Sequence, residues 1–179
     1  MISDIPRMHR LINKHRQAGI LVDTNLLILL FVGLLERDYI PRFERTKSFT
    51  PTDYDALLQL LRNFSRIIVT PHILTEMSNL AGRLRGDRRE EFYLILAAML
   101  ADTAGYFVID EQNRPAKLVC MEPEFRFVGL TDAGILHRAS HKHFLVLTDD
   151  GPLSWHLNRR RIDFINFRDL QAYYALPLP

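Results

Sequence analysis

The hydrophobic residues of this chain fall into short runs and longer periodic segments. Four short runs rich in Ile, Val, Leu and Phe have the composition of buried strands: residues 20–22, 67–69, 144–147 and 162–165. Between them, apolar residues recur at every third or fourth position, which predicts helices. We expect these helices at residues 5–17, 24–35, 51–64, 71–84 and 88–102, with others starting near 131, 151 and 166. Strands that alternate with helices predict an α/β fold, a three-layer α/β/α sandwich with a central, mostly parallel sheet, in one domain.

Two helix starts are well marked in the sequence, whereas two segments have no clear period. Thr50 and Thr70 each precede a proline, the arrangement of an N-cap followed by proline at the first helical position. Residues 37–50 mix bases and aromatics, and we predict a loop or a lid there. The segment 106–126 is the least regular part of the chain. Within it, strands are expected at 106–109 and 117–121, on either side of a turn at 113–115.

Composition is that of an ordinary globular protein. Hydrophobic residues make up 47% and charged residues 25% of the 179 positions, and the net charge is +2. The longest uncharged apolar run, residues 26–35, is shorter than the roughly 20 residues that a bilayer requires. The single cysteine, Cys120, excludes an internal disulfide and a cysteine-rich zinc framework. We therefore expect a protein of a reducing compartment, the cytoplasm, with no membrane partner.

Acidic residues follow two of the predicted strands. Asp23 comes directly after the first strand, and Asp149 and Asp150 come after the third. Ligands of open parallel sheets bind outside the carboxyl ends of the strands, so these acids are expected to face one crevice. Asp132 falls on the apolar face of its helix and Glu76 at the margin of the apolar stripe of another, so both are expected to lie against the sheet.

Each of these acids also has an ordinary structural explanation. Asp23 suits a helix N-cap, and Asp132 suits a first-turn carboxylate favoured by the helix dipole. Glu76 suits a solvated helix flank, and Asp149 with Asp150 before Gly-Pro suits a turn. Taken together, however, like charges about 4 Å apart repel by several kcal/mol at an intermediate dielectric, so such a cluster needs a cation. Carboxylate oxygens without a cysteine or histidine set favour Mg²⁺ or Mn²⁺ over zinc.

Four segments that carry these acids also match a known pattern in order and spacing. They are Ile-Leu-Val-Asp-Thr-Asn at 20–25, Pro-His-Ile-Leu-Thr-Glu at 71–76, Leu-Thr-Asp-Ala-Gly-Ile at 130–135 and Leu-Thr-Asp-Asp at 147–150. Together they resemble the four motifs of the PIN-domain nuclease family, most of all its toxin-type ribonucleases. The resemblance covers about residues 19–167, and the helix at 5–17 and the segment 37–50 are additions to it.

The resemblance implies an Mg²⁺- or Mn²⁺-dependent ribonuclease, a hydrolase that cuts RNA phosphodiester bonds. Carried over position by position, it assigns catalysis and metal binding to Asp23, Glu76, Asp132 and Asp150. Asp149 occupies the variable position of the fourth motif, so the fourth metal ligand is either Asp150, which we prefer, or Asp149. Asn25 and Thr148 would be polar supports of the site.

Arginine residues supply candidate contacts to RNA phosphates. They form two groups, Arg83, Arg85, Arg88 and Arg89 in one and Arg159 and Arg160 in the other. Solvated helix ends explain such groups equally well, because bases are favoured there. Bases also alternate with Phe43 and Phe49 in the segment 37–50, a composition suited to single-stranded nucleic acid or to a lid that these phenylalanines hold in place.

Several functional hypotheses follow from the resemblance and compete with it. The leading one is a toxin or defence ribonuclease, with an antitoxin protein and a second copy of the chain as partners besides RNA. The runner-up is a nuclease of RNA processing or quality control, and a catalytically silent PIN-like RNA- or protein-binding module is the third. An aspartyl phosphatase fits poorly, because Asp23-Thr24-Asn25 lacks the second aspartate expected two residues after the first.

Overall fold

A five-stranded parallel sheet forms the centre of the protein. The computed structural model describes residues 5–102, 105 and 107–174. The strands are β1 (Ile20–Val22), β2 (Ile67–Val69), β3 (Ile109–Glu111), β4 (Leu145–Thr148) and β5 (Phe164–Asn166), in the spatial order β3-β2-β1-β4-β5. Residue Ile20 of β1 pairs with Ile67 on one side and with Leu145 on the other. The expected three-layer α/β/α sandwich with a parallel sheet is confirmed.

Helices connect the strands and cover the sheet. They are α1 (Ile5–His15), α2 (Thr24–Leu35), α3 (Pro51–Leu61), α4 (Pro71–Ala81), α5 (Asp87–Leu100), α6 (Ala116–Val119), α7 (Phe125–His141), α8 (Gly151–Arg159) and α9 (Phe167–Tyr174), with a 3₁₀ helix at Arg37–Arg42. The predicted N-caps are confirmed: Thr50 Oγ1 accepts a hydrogen bond from Asp53 N at 3.2 Å, and Thr70 Oγ1 accepts one from Ile73 N at 3.3 Å. None of the described helices is long and apolar enough to cross a membrane.

Helix α2 is the most deeply buried helix of the core. Every residue from Thr24 to Gly33 is buried except Asn25, because the helix is apolar on nearly all of its faces. Gly33 allows a particularly close approach, since a Cβ atom at this position would lie 2.2 Å from the ring of Tyr54. Because α2 begins directly after β1, its N-terminal end is fixed at the carboxyl edge of the sheet.

The segment 37–50 is folded against the core. After the 3₁₀ helix it continues in turns, with Phe43 and Phe49 buried. The ring of Phe49 lies 6.1 Å from the ring of Phe167, and Thr46 Oγ1 donates to Ile40 O at 2.7 Å. Both phenylalanines therefore hold the segment in place and are not available for stacking on nucleic acid.

Two expectations for the region before β4 are wrong. Residues 117–121 do not form a strand: the region contains the short helix α6, in which only Val119 is buried, and α6 begins directly after Pro115. The expected strand at 106–109 is displaced to β3, and its first residue, Tyr106, lies outside the described residues. The helix expected to start near residue 131 is the second part of α7, which is interrupted at Gly129 (φ 75°, ψ −173°).

Candidate functional site

The predicted acidic residues lie where the chain reverses its direction across the sheet. From β1 the chain proceeds to β2 and β3 on one side, and then returns to β4 on the other side of β1. The carboxyl ends of β1 and β4 therefore border a topological switch point, the usual place for a ligand crevice in a parallel sheet. Asp23 follows β1 and Asp149 follows β4, and Asp23 N donates to Leu147 O at 3.0 Å.

Asp23 is buried between the two strand ends. Its side chain is an N-cap of α2, because Oδ1 accepts from Leu26 N at 3.1 Å, and Oδ2 accepts from Asp149 N at 3.2 Å. Burial, and to a lesser extent the charge of Asp149, raises the pKa of Asp23 to about 7. Hydrogen bonds from the Thr148 hydroxyl and from the two backbone N–H groups lower this pKa but do not outweigh the rise. The capping role of Asp23 is thus confirmed. Unlike an exposed N-cap, however, the ionised Asp23 carboxylate is buried, which costs the folded state free energy.

The adjacent aspartates after β4 face different neighbours. Asp149 Oδ1 accepts from Asn25 Nδ2 at 3.3 Å, and burial raises the pKa of Asp149. Asp150 Oδ1 accepts from Leu153 N at 2.6 Å and thereby caps α8, while Asp150 N donates to Thr148 Oγ1 at 3.0 Å. The two predicted supports are therefore in contact with the acids: Asn25 bonds the Asp149 carboxylate, and the Thr148 hydroxyl bonds the Asp23 carboxylate and accepts from the backbone N–H of Asp150.

Asp132 of α7 and Glu76 of α4 join Asp23, Asp149 and Asp150 at this edge of the sheet, and we call this group of five acids the acidic crevice. Burial, and then the charges of Asp150 and Glu76, raises the pKa of Asp132 to about 6. Glu76 is held by Thr24, whose Oγ1 donates to Glu76 Oε2 at 2.8 Å. The sequence interpretation did not assign this role to Thr24. Its one indication was a hydroxyl residue directly after Asp23 at the start of an otherwise apolar helix.

The predicted acids are thus brought together at one crevice, in two linked groups. Asp23 with Asp149 forms one, and Asp132 with Asp150 and Glu76 forms the other. The donor chemistry suits a hard divalent cation, since the site offers carboxylate oxygens. A bound cation would offset the burial and the repulsion between carboxylates, which together raise the pKa values of Asp23 and Asp132. Within the described residues, however, no group of three or more His, Cys, Asp and Glu side chains is arranged so that it could hold a metal ion. A metal ion would therefore have to draw the carboxylates closer together.

The arginines that follow α4 and begin α5 differ in how many contacts they make with other side chains. Arg83, Arg85 and Arg89 are exposed, and Arg85 and Arg89 line a surface pocket of about 720 Å³. Arg88 is engaged elsewhere, because its Nη2 lies 2.7 Å from Glu36 Oε2 and its guanidinium lies 4.3 Å from the ring centre of Tyr39. Of this group, Arg83, Arg85 and Arg89 remain available for a phosphate.

The second arginine group also contains one exposed residue and one that is engaged in ion pairs. Arg159 is exposed, and its guanidinium lies 5.3 Å from the ring centre of Trp155. Arg160 donates from Nε to Glu124 Oε1 at 3.0 Å and from Nη2 to Glu122 Oε2 at 2.6 Å. Burial works against ionised Glu122, but hydrogen bonds, above all from Arg160, outweigh it and lower its pKa. The structure therefore assigns Arg160 to an internal ion-pair network and removes it from the candidate phosphate contacts.

A further cation that the sequence interpretation missed lies near the crevice. Arg168 is exposed in the first turn of α9, and its positive charge acts against the burial that raises the pKa of Asp149. No contiguous motif could have indicated it, because Arg168 comes near Asp149 only through the pairing of β5 with β4.

No protein-family model matches the chain, and no curated protein matches it at a significant level.

Proposed function

We propose that this protein is a metal-dependent endoribonuclease of the PIN type, which uses Mg²⁺ or Mn²⁺ to hydrolyse RNA phosphodiester bonds. One observation carries the proposal: acidic side chains from β1, β4, α4 and α7 converge at the topological switch point, and the pKa values of Asp23 and Asp132 rise to about 7 and about 6. Carboxylates with strongly shifted pKa values that lie together in a crevice are typical of functional sites. The order of the four motifs supports the same proposal.

Asp23, Glu76, Asp132 and Asp150 would hold the metal, with Asp149 as the alternative fourth ligand. When bound, a divalent ion would lower the pKa of a water molecule and neutralise charge on the departing oxygen of the phosphodiester. The protein's own contribution is to hold the carboxylates: Thr24 orients Glu76 through the 2.8 Å hydrogen bond. Two backbone N–H groups fix the Asp23 side chain.

Cleavage of RNA by the purified protein tests the proposal directly. The wild type should cut single-stranded RNA with Mn²⁺ or Mg²⁺ and should not cut it in EDTA. Asp23→Asn and Asp132→Asn should each lower the rate by at least about 100-fold. Asp38→Asn is a matched control, since Asp38 is exposed beyond the opposite end of α2 and should leave the rate unchanged. Cleavage that persists in EDTA, or in the Asp23→Asn variant, contradicts the proposal.

The choice of the fourth ligand has its own experiment. Asp149→Asn and Asp150→Asn should be compared for Mn²⁺ affinity, measured by the metal-induced rise in melting temperature, and for cleavage rate. We expect the larger loss of affinity for Asp150→Asn, because the charge of Asp150 acts on Asp132, another proposed ligand, whereas Asp149 is bonded to Asn25. Since Asp150 also caps α8, Asp150→Ser serves as a control that keeps a capping oxygen and removes the carboxylate.

The finer biological role that we propose is a cytoplasmic toxin or defence ribonuclease, with an antitoxin protein and a second copy of the chain as partners. RNA processing or quality control is the alternative role for the same chemistry. Expression of the wild type should slow bacterial growth, and expression of the Asp132→Asn variant should not. Equal growth would contradict the toxin role and favour RNA processing. Light scattering of the purified protein tests the proposed dimer.

A second candidate function is a binding module with a silent centre. It is favoured by the finding that, in the described parts of the chain, no three metal-ligating side chains form a preformed group. Under this alternative the protein binds RNA or a partner protein without cutting RNA, and Mn²⁺ leaves its melting temperature unchanged. Saturable stabilisation by Mn²⁺ in the wild type, lost in Asp23→Asn, distinguishes the nuclease from this alternative.

A further inference from the structure

A second polar cluster lies around β3, the strand at one side of the sheet. It consists of Arg66, Asp110, Gln112, Arg114 and Arg138, and we call it the arginine cluster. Gln112 and Arg114 follow β3, and Gln112 N donates to Val69 O at 2.8 Å. Because β3 is two strands away from β1, the cluster is separated from the acidic crevice by roughly 10 Å across the sheet.

The guanidinium groups of this cluster have unused hydrogen-bond donors. Arg138 is only 3% exposed, and its Nη2 donates to Gln112 Oε1. Its Nε is buried and has no hydrogen-bond partner among the described residues, and the same is true of Arg114 Nε. Arginine cannot deprotonate to avoid this situation, so two cationic N–H donors stay buried and unsatisfied.

Charge in the arginine cluster is also unbalanced. Burial, and then the positive charge of Arg114, lowers the pKa of Arg138, and Asp110 opposes this effect. Asp110 is already engaged, because Oδ2 accepts from Arg66 Nη1 at 3.3 Å and Oδ1 accepts from Gln112 Nε2 at 2.6 Å. The five residues of the cluster thus include three guanidinium groups and one carboxylate, an excess of positive charge that an anion would compensate.

We propose that the arginine cluster is a binding site for a phosphate group, held by the Nε–H donors of Arg114 and Arg138. A guanidinium presents its donors in a planar fork that matches a phosphate oxygen pair, and hydrogen bonds between a cation and an anion are stronger than neutral ones. The two candidate sources of this group are a backbone phosphate of bound RNA and a free phosphate or phosphomonoester. The site does not depend on the proposed nuclease activity.

Titration with inorganic phosphate tests the site without any catalysis. Binding is measured in EDTA at constant ionic strength, by calorimetry or by the rise in melting temperature. We expect saturable binding to the wild type and at least about tenfold weaker binding to Arg114→Gln. Arg62→Gln is the matched control, since Arg62 is exposed at the end of α3 and should bind phosphate like the wild type. Arg138→Gln is a second test variant, and Arg114→Gln remains decisive if Arg138→Gln fails to fold. No saturable binding to the wild type, or unchanged affinity in Arg114→Gln, overturns the proposal.

Binding of a short single-stranded RNA, in the same buffer with EDTA, identifies the source of the phosphate. If the ligand is an RNA phosphate, Arg114→Gln should weaken RNA binding and lower the slope of log affinity against log salt by about 1. If the ligand is a free phosphate, Arg114→Gln should lose inorganic phosphate binding while its RNA affinity stays that of the wild type. Failure of the nuclease proposal would leave both measurements intact, because EDTA prevents cleavage in each.

Discussion

The Asp23→Asn substitution should stabilise the metal-free protein at neutral pH, although it removes a residue proposed to be catalytic. The pKa of Asp23 rises from 3.8 to about 7, a difference of about 3 pH units between the unfolded and folded states. At about 1.4 kcal/mol per unit, the ionised carboxylate costs the folded state about 4 kcal/mol. Asparagine avoids that cost but loses one of the two acceptor oxygens, those bonded to Leu26 N and Asp149 N, which costs about 1–2 kcal/mol. The net gain is therefore about 2–3 kcal/mol in the free energy of unfolding.

The pH dependence of this difference follows from the direction of the pKa change. Because the folded state binds the Asp23 proton more tightly than the unfolded state, the contribution of Asp23 is most favourable below about pH 4 and is lost as the pH rises through 7. Carboxylates with lowered pKa values, such as Glu122 and Glu124, act in the opposite direction. They are present in both proteins, so the difference between the wild type and Asp23→Asn isolates Asp23.

Urea unfolding of both proteins in EDTA, from pH 5 to pH 8, measures this difference. Asp23→Asn should be no more stable than the wild type at the acidic end and more stable by about 2–3 kcal/mol at the alkaline end. A variant that is destabilised by the same amount at every pH would refute the reasoning, since the hydrogen bonds would then outweigh the cost of burying the charge. The Asp38→Asn control, at an exposed carboxylate, should show no such trend.

Three further substitutions test other parts of the structure. Thr24→Val should lower the cleavage rate by about tenfold, because Glu76 loses the hydroxyl that orients it, and Thr24→Ser should restore most of the rate. Gly33→Ala should lower the free energy of unfolding by about 3 kcal/mol in urea unfolding, since the new methyl group would overlap the ring of Tyr54; an unchanged midpoint would contradict the tight packing. Arg160→Gln should destabilise the protein by about 2–3 kcal/mol at pH 7. The loss should shrink as the pH falls through the lowered pKa values of Glu122 and Glu124, where these two partners take up protons; an equal loss at every pH would contradict the ion-pair role.

Most of the fold could be predicted because its elements are specified locally. The runs at Ile20–Val22 and Ile67–Val69 are β-branched or leucine residues bounded by polar residues or glycine, and they form β1 and β2 with the predicted bounds. Thr50-Pro51 and Thr70-Pro71 start α3 and α4 as expected, because an N-cap and a proline act within one turn. Polar residues after the strands likewise indicated one crevice, since parallel strands end at the same edge.

The errors concern features that depend on distant contacts. The run 117–121 has strand composition, but only Val119 is buried and the run forms part of no described strand. Arg160 was expected at an RNA surface, yet it lies beside Glu122 and Glu124, which precede it by 38 and 36 residues. The role of Thr24 depends on a glutamate 52 residues away. Periodicity and local motifs contain no information about such pairings.

The burial of α2 divides the acidic crevice into a fixed half and an adjustable half. Asp23 and Thr24 begin a helix that is surrounded by other side chains, so neither can shift without repacking the centre of the protein. Asp132 follows the break at Gly129, where the backbone leaves the helical conformation and the flanking Leu130 is exposed. We therefore expect any closing of the carboxylates around an ion to come from α7. Changes that tune the choice of metal should accumulate in that helix, whereas changes at the buried apolar positions of α2 should destabilise the fold before they can alter activity.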